Sequence, residues 1–231
     1  MAHTLCNVTA ITALTSAVYE VVLSPSTAIQ HQAGQYLKVI MGDDDARPFS
    51  IANPMHESNE LTLQIGAHPD NPYAWQVLEK LRQSESIVID APHGNAFFRD
   101  NQRPLLLLSG GTGFSYTYAI LQQALKTDPE RNIQLFWGVR QQQDFYCLEH
   151  LNQLLKQHTN FNFHPVVEHP EPEWKGLSGW VHKAVISETN NLDNYDVYVA
   201  GRFEMAKVVR DDFFALGLSQ QQLIGDAFEY L

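Results

Sequence analysis

The sequence has few cysteines and no recognisable metal-binding pattern. Its 231 residues include only Cys6 and Cys147, which form no CxxC pair and no other metal-ligand spacing. This excludes a cysteine framework for zinc or an iron–sulfur cluster, and it excludes a disulfide scaffold. The ten histidines form no HExxH motif, so no metal is predicted, and without a G-x-S-x-G elbow a serine hydrolase is not favoured. Two free thiols favour a reducing compartment.

Positive charge is also scarce. Lysine and arginine together number 15 against 26 acidic residues, which gives a formal net charge of −11. Nucleic acids and anionic membranes attract positive surfaces, so neither is an expected partner. A small anionic ligand remains compatible if a loop or a helix end supplies local donors.

Two further features are missing from the sequence. The first basic residue is Lys38, so the N-terminal segment has neither the positive region of a secretory signal nor the arginines of a transit peptide. No apolar run approaches the length of a membrane span. We therefore expect a cytoplasmic protein with no membrane partner.

Residues 1–99 are typical of a β-domain. Short segments rich in β-branched and aromatic residues alternate with Ser-Pro, Gly-Asp and Asn-Pro clusters, which mark turns. The predicted strands are "NVTAITAL", "AVYEVVL", "QYLKVIM", "PFSIAN", "LTLQIGA" and "SIVIDAP". One helix is predicted in "PYAWQVLEKLR", where Tyr73, Val77 and Leu81 recur every four residues. This pattern indicates an antiparallel six-stranded β-barrel.

Residues 100–231 follow a different pattern. Continuous apolar strands such as "PLLLLSG" and "NIQLFWG" alternate with helical segments such as "YTYAILQQALKT" and "DFYCLEHLNQLLKQH", the latter with Asp144 as its predicted N-cap. Strands that are apolar on both faces and alternate with helices indicate a parallel α/β domain. We place the domain boundary near "FFRDNQRP".

A glycine-rich turn follows the first apolar strand, in "SGGTGFSY" at residues 109–116. Gly110, Gly111 and Gly113 would let backbone N–H groups approach a pyrophosphate at a helix N-terminus, and Thr112 and Ser115 would add hydroxyl donors. The motif is neither G-x-G-x-x-G nor a P-loop. A tight strand–helix connection with no ligand remains the alternative.

Two other segments carry groups suited to the same kind of ligand. In "VYVAGRFEMAK", Gly201 permits close approach and Arg202 would neutralise a phosphate; an ordinary helix cap is the alternative. In "RPFSIAN", Phe49 could stack on a flat heteroaromatic ring while Ser50 bonds a ring atom; a plain strand with Phe49 in the core is the alternative. Ligands in α/β sheets bind at strand ends, so two glycine turns there support each other.

These motifs occur in one order: an R-x-[YF]-S strand in a barrel, a GGTG turn and a late G-x-x-x-M. That order resembles the ferredoxin–NADP reductase superfamily over essentially the whole chain. Within it the sequence is most similar to the bacterial NAD(P)H:flavin oxidoreductases, including those that supply reduced flavin to luciferase. The segments that carry the resemblance are "AGQYL", "RPFSIA", "APHG", "GGTGFSY", "VAGRFEMAK" and "GDAF".

The resemblance implies a flavin-binding β-barrel at residues 1–99 and an NAD(P)-binding domain at residues 100–231. The flavin site would be lined by Arg47, Pro48, Phe49 and Ser50. Ser50 would bond near flavin N5 and Asp226 would support Ser50, which makes these two the implied catalytic residues. Phe228 would border the ring stack.

The resemblance also assigns the nicotinamide nucleotide. Arg140 and Tyr146 match positions that meet its adenosine end, and Gly201, Arg202 and Met205 would pack near the nicotinamide ribose and diphosphate. The pyrophosphate turn is Gly110, Gly111, Thr112 and Gly113, followed by Phe114 and Ser115.

One departure bears on how the flavin is held. Relatives that keep their flavin carry a Ser or Thr at the next helix start, where this chain has Ala74. This favours riboflavin, FMN or FAD as a loosely bound substrate, reduced by hydride transfer from NADH or NADPH. A reductase with tightly bound flavin and a protein partner, and a non-catalytic flavin or nucleotide sensor, remain alternatives.

Overall fold

The computed structural model describes residues 3–55 and 59–231. The first half forms a six-stranded antiparallel sheet in the order β4-β3-β6-β1-β2-β5. Its strands are β1 (His3–Ala13), β2 (Val18–Pro25), β3 (Tyr36–Gly42), β4 (Asp45–Ser50), β5 (Leu61–Gly66) and β6 (Ser86–His93). The sheet curls so that its edge strands β4 and β5 contact each other. The predicted antiparallel six-stranded sheet is thus confirmed.

The inside of this barrel is filled by apolar side chains from alternate positions along the strands. Leu61, Leu63 and Ile65 of β5 are fully buried, since every second side chain of a strand points to the same face. Helix α1 (Pro72–Gln83) closes the barrel, with Val77 and Leu81 against the same core. The helix was predicted correctly, but Tyr73 is 49% exposed because its ring packs under the guanidinium of Arg47, 4.9 Å away, rather than in the core.

The second half forms a parallel six-stranded sheet in the order β10-β9-β8-β7-β11-β12. Its strands are β7 (Leu105–Gly110), β8 (Ile133–Val139), β9 (Phe161–Val167), β10 (Leu177–Ser178), β11 (Asp196–Ala200) and β12 (Leu223–Ile224). Its helices are α2 (Phe114–Thr127), α3 (Leu148–Gln157), α4 (Val181–Glu188) and α5 (Phe203–Ala215). Buried side chains of α2 and α3 share one core cluster and those of α4 and α5 another, so helices cover both faces, as predicted for a parallel sheet.

The start of α3 differs from the prediction. The helix begins at Leu148, and Asp144 lies in a preceding short turn where its carboxylate accepts a hydrogen bond from the Gln141 backbone N–H at 3.0 Å. Phe145 and Tyr146 are drawn into the core beside Trp137, and Cys147, which has φ +55°, turns the chain into the helix. The prediction of Asp144 as the cap of this helix was therefore wrong.

The predicted boundary between residues 99 and 100 lies in the connection between β6 and β7, residues 94–104. This connection contacts both halves: the Phe98 N–H donates to Ala33 O at 2.8 Å, and the Arg99 N–H donates to the Tyr198 hydroxyl at 2.9 Å. Division of the chain at that point stays a prediction. Among the described residues, no helix has the length and apolarity needed to cross a bilayer.

Candidate active site

The two glycine turns of the α/β domain end neighbouring strands. β7 pairs directly with β11, with Ser109 opposite Ala200. From β7 the chain continues to β8 on one side, whereas β11 continues to β12 on the other, so the strand order reverses between them. At such a point the connections diverge and leave a crevice at the carboxyl ends of the strands, where α/β proteins bind ligands.

Close packing explains one glycine of the β7 turn, and open space marks another. A Cβ atom on Gly113 would lie 2.4 Å from the Ala200 carbonyl oxygen, so no larger residue fits between the turn and β11. Gly111 has φ +55°, and nothing lies within 4 Å of the position of its Cβ. Gly113 thus fits the tight-connection interpretation, while Gly111 leaves bare backbone open to a ligand.

The late glycine turn packs around one methionine. A Cβ on Gly110 would lie 2.7 Å from Met205 Sδ, and a Cβ on Gly201 would lie 2.4 Å from Met205 Cε. Met205, on the first turns of α5, therefore fills the space between the two strand ends. The G-x-x-x-M spacing has a direct structural reason.

The rest of the β7 turn is supported by Trp137 within the α/β domain and by β5 of the barrel. The indole N–H of Trp137 donates to Gly111 O at 2.9 Å, and the fully buried ring of Phe114 stacks on Trp137 with centroids 3.8 Å apart. Thr112 packs against Gly66 of β5, since a Cβ there would lie 2.8 Å from Thr112 Cγ2. The buried Ser115 hydroxyl donates to Gln64 Oε1 at 3.2 Å. Of the two residues predicted as ligand donors, Ser115 thus hydrogen-bonds to the barrel and Thr112 packs against it.

The described arginine side chains fall into two groups, those that hydrogen-bond within the protein and those that do not. In the part of the chain that the structure describes, six of the eight arginines make side-chain hydrogen bonds. These six are Arg47, Arg82, Arg99, Arg103, Arg131 and Arg210. Arg140, after the end of β8, and Arg202, after Gly201, are exposed and have no such partner within residues 3–55 and 59–231. The two free guanidinium groups stand at the carboxyl ends of strands on either side of β7.

Tyr146 does not face the crevice. It is only 5% exposed, and its ring packs edge-on against Phe114 at 5.4 Å and Trp137 at 4.8 Å. Burial raises the pKa of its hydroxyl well above the ordinary value. In this structure the ring is part of the support under the glycine turn.

On the barrel, Arg47 of β4 is held by its own strand. Its Nη2 lies 2.6 Å from Asp45 Oδ2, and its Nη1 donates to Tyr73 O at 2.6 Å. The hydrogen bond from Arg47 lowers the pKa of Asp45. The positive charge of Arg47 is therefore already balanced.

The other three residues of the "RPFS" segment are partly or fully accessible to solvent. Phe49 packs partly against the barrel core, as the plain-strand alternative expected, and Pro48 is exposed. Ser50 pairs across the sheet with Tyr36, and its hydroxyl makes no hydrogen bond within the described ranges. That hydroxyl is available to a ligand.

The C-terminal segment approaches this strand from the α/β domain. Asp226 lies beside Gly94, where a Cβ would be 3.0 Å from its Oδ1 and 3.1 Å from the ring of Tyr36. Burial raises the pKa of Asp226 to about 6, opposed by hydrogen bonds from the backbone of Ala96 and Asn95. Asp226 makes no hydrogen bond to Ser50 and lies next to Tyr36, the cross-strand partner of Ser50.

Phe228 is the next aromatic residue of the C-terminal segment. It packs partly against the core under α4 and α5 and lies close to Gly225, whose Cβ would be 3.1 Å from its ring. It also lines an open groove of about 510 Å³ that includes Arg99, Arg210 and Phe214. This groove does not include the glycine turn.

Sequence reasoning missed Tyr36 and His93, which lie near Ser50, and Tyr230 in the C-terminal segment. Tyr36 stacks on His93 with centroids 5.6 Å apart, and His93 Nε2 lies 3.0 Å from Asp90 Oδ2. Tyr230, 72% exposed, packs edge-on against Phe203, the residue after Arg202, at 6.3 Å. Burial, then the charges of Tyr230 and Asp226, raise the pKa of Tyr36. Tyr230 thus connects the C-terminal segment to the start of α5 beside Arg202.

Fold and site together define a two-domain architecture: an antiparallel barrel carrying a free hydroxyl, joined to an α/β domain with a glycine crevice. A family model described as the oxidoreductase NAD-binding domain matches residues 107–211. A solved ferredoxin reductase in carbazole 1,9a-dioxygenase superposes with a TM-score of 0.86 at 23% identity, covering 98% of this chain and 69% of that one.

Two relatives that match over nearly the whole of both chains identify the family within this class of protein. The NAD(P)H-flavin reductases of Vibrio harveyi and of Aliivibrio fischeri are each 40% identical to this chain over 233 residues, covering 98% of both chains in each comparison. The chain belongs to the NAD(P)H-flavin reductase family.

Proposed function

We propose that this chain uses NADH or NADPH to reduce a free flavin: riboflavin, FMN or FAD. When both are bound, hydride passes from nicotinamide C4 to flavin N5, chemistry that belongs to the two cofactors themselves. The observation that carries the proposal is the crevice at the strand-order reversal, where open backbone at Gly111 lies between two arginines that have no side-chain partner among the described residues. The 40% identity to NAD(P)H-flavin reductases supports it.

The α/β side fits an anionic dinucleotide. The backbone from Gly110 to Gly113 precedes α2, so its N–H groups and the helix N-terminus favour a diphosphate. Arg202 would neutralise the diphosphate, and Arg140 would meet the adenosine half. Met205 would support the nicotinamide ribose from below.

The barrel side fits a flat, mostly uncharged ring. Ser50 would donate its hydrogen bond near flavin N5, and Arg47, Pro48 and Phe49 would line the ring and the ribityl chain. Asp226 would act as a positioning residue through Tyr36 and Gly94 rather than by touching Ser50. The protein supplies proximity and orientation, so no strong base is required for hydride transfer.

Ser50→Ala tests the hydroxyl. We expect a lower kcat and a higher KM for riboflavin, because a side-chain donor that has no protein partner among the described residues is removed, with an unchanged KM for NADH. Ser24→Ala on β2 is the matched control and should behave as the wild type. Full activity of Ser50→Ala would remove Ser50 from the mechanism.

The flavin would arrive and leave as a substrate. Ala74, on the first turn of α1, is buried and offers no hydroxyl to a flavin phosphate. Reduced flavin would then diffuse to a flavin-using monooxygenase such as luciferase, or to ferric complexes. We place this activity in the cytoplasm, where the free thiols Cys6 and Cys147 would stay reduced. Light emission from luciferase supplied with this protein, NADH and FMN would test the coupling.

The decisive assay starts from the visible spectrum of the purified protein. NADH and NADPH oxidation is then followed with and without added riboflavin or FMN. The proposal predicts a colourless protein whose NAD(P)H oxidation depends on added flavin. A stoichiometric yellow protein active with an artificial acceptor alone would favour a bound-flavin reductase. A colourless protein inactive with all combinations would leave only a sensor.

A further inference from the structure

One tryptophan stands apart from the other three. Trp180 is 61% exposed, whereas Trp137 is fully buried and Trp75 and Trp174 are partly buried. Trp180 immediately precedes α4, at the carboxyl edge of the parallel sheet. A large aromatic surface left open at a ligand-binding edge calls for a partner.

Contacts place Trp180 near the end of β8. Its neighbour Val181 packs against Gly138, where a Cβ would lie 2.8 Å from Val181 Cβ. Val139 of β8 pairs with Val167 of β9, which in turn pairs with Ser178 of β10. Arg140 and Trp180 therefore follow aligned strand ends on the same edge of the sheet.

The side chain of Trp180 projects from a fixed backbone. The Gly179 N–H donates to Val167 O at 2.9 Å, and Trp180 O accepts from the Lys183 N–H at 3.0 Å. The indole stacks on His182 with centroids 5.8 Å apart and planes inclined by 27°, and His182 is only 3% exposed. A buried imidazole thus backs the indole, while much of the indole surface remains open to solvent.

The adenine ring of a bound dinucleotide has no assigned stacking partner at this edge of the sheet. Adenine needs a flat face on which to stack, and Tyr146, the residue that the resemblance places there, is buried under the glycine turn. Within the described chain, Arg140 has no side-chain partner and lies on the same edge as Trp180.

We infer that Trp180 is the stacking surface for the adenine ring of NADH and NADPH, with Arg140 beside the adenosine ribose. This inference rests on the proposed function and adds a dinucleotide-binding residue to it. Stacking of a base on an aromatic side chain is sequence-tolerant and, by alanine substitution, contributes about fivefold or more to affinity. It would serve both dinucleotides equally, because the two share the same adenine.

The test compares Trp180→Ala, Trp180→Phe and the wild type in steady-state NADH oxidation with riboflavin. Trp180→Ala should raise the KM for NADH and for NADPH at least about fivefold, with unchanged kcat and unchanged riboflavin KM. Trp180→Phe should recover most of the loss. Leu216→Ala, which removes another exposed apolar side chain (56% exposed), is the matched control and should match the wild type.

A truncated substrate separates stacking from a structural role. Reduced nicotinamide mononucleotide lacks adenosine, so its kcat/KM should be the same in the wild type and in Trp180→Ala. A loss with this substrate as large as the loss with NADH would overturn the inference in favour of a structural role.

Binding without catalysis gives a second readout. ADP-ribose should quench part of the tryptophan fluorescence of the wild type, and this quenching should be absent in Trp180→Phe even at saturating ADP-ribose. Equal quenching in both proteins, or a wild-type NADH KM in Trp180→Ala, would overturn the role of Trp180 while leaving flavin reduction intact. An inactive wild type would instead refute the proposed function.

Discussion

The arginines near the site differ between the two domains: the one on the barrel is paired with protein groups, whereas those on the α/β domain are unpaired among the described residues. On the barrel, Arg47 is bound on one side by Asp45 and on the other by the Tyr73 carbonyl. On the α/β domain, Arg140 and Arg202 have no side-chain partner among the described residues. A paired arginine suits a neutral ring, whereas a free one suits a phosphate. The difference suggests that the α/β domain binds the charged dinucleotide and the barrel an uncharged flavin ring.

The C-terminal segment joins these two surfaces. Tyr230 contacts Phe203, next to Arg202, and Asp226 lies against Gly94 and Tyr36 of the barrel. Ser115 and Thr112 of the glycine turn contact β5 from the other side. The barrel and the crevice are therefore held in a fixed relation, which is what hydride transfer between two bound rings requires.

The largest effect should come from closing the gap between β7 and β11. In Gly113→Ala, the new Cβ would lie 2.4 Å from a backbone carbonyl, so we expect a loss of about 3 kcal/mol in the free energy of unfolding together with loss of NADH binding. Gly42→Ala, with nothing within 4 Å, should change the free energy by less than about 0.5 kcal/mol. Urea unfolding of both variants measures this, and equal stabilities would contradict the close packing.

Removal of the free arginines should affect only the dinucleotide. Arg140→Ala and Arg202→Ala should each raise the KM for NADH about tenfold or more, since a charge-assisted hydrogen bond contributes about 1.5–3 kcal/mol. The KM for riboflavin should stay constant. Arg82→Ala, which removes an arginine already paired with Glu79, serves as the control. A rise in the riboflavin KM alone would reverse the assignment of the two domains.

Asp226 should make stability depend on pH. Its folded pKa of about 6 lies above the ordinary 3.8, so the folded state favours the protonated carboxyl. Its contribution is complete below about pH 4 and is lost as the pH rises towards 6. Asp226→Asn should therefore be more stable than the wild type at pH 8, by about 1 kcal/mol, and should show a flatter pH profile. Denaturant titrations at pH 4.5 and pH 8 measure this, and a variant less stable at pH 8 would contradict the buried charge.

The smallest effect should be a change of flavin preference. In Asp45→Asn, Arg47 loses its counter-charge, so the phosphate of FMN should gain a partner while riboflavin gains nothing. We expect the kcat/KM ratio of FMN to riboflavin to rise about threefold, within the range of an exposed ion pair. Asp70→Asn, which is distant from Arg47 in the sequence and makes no pair with it, is the control. An unchanged ratio would place the flavin phosphate away from Arg47.

Local patterns predicted the architecture and the position of the crevice. The apolar run ending in Gly110 and the strand ending in Ala200 had to share an edge, because the carboxyl ends of parallel strands meet there. The helix at residues 72–83 followed from its four-residue spacing.

What the patterns could not predict depends on packing between distant segments. Thr112 and Ser115 turn towards β5 because the barrel docks there, which no local spacing encodes. Tyr146 is buried because Trp137 and Phe114, from other elements, form a pocket for it. Tyr230 was missed because a single aromatic near the C-terminus carries no periodicity.

The division of charge between the two domains can be measured directly by calorimetric titration. The protein is titrated with NAD⁺ and, separately, with riboflavin at low and at high salt. Free, exposed arginines are screened by ions, so the affinity for NAD⁺ should fall as salt rises while the affinity for riboflavin stays constant. An NAD⁺ affinity independent of salt, or a riboflavin affinity that falls equally, would contradict this account.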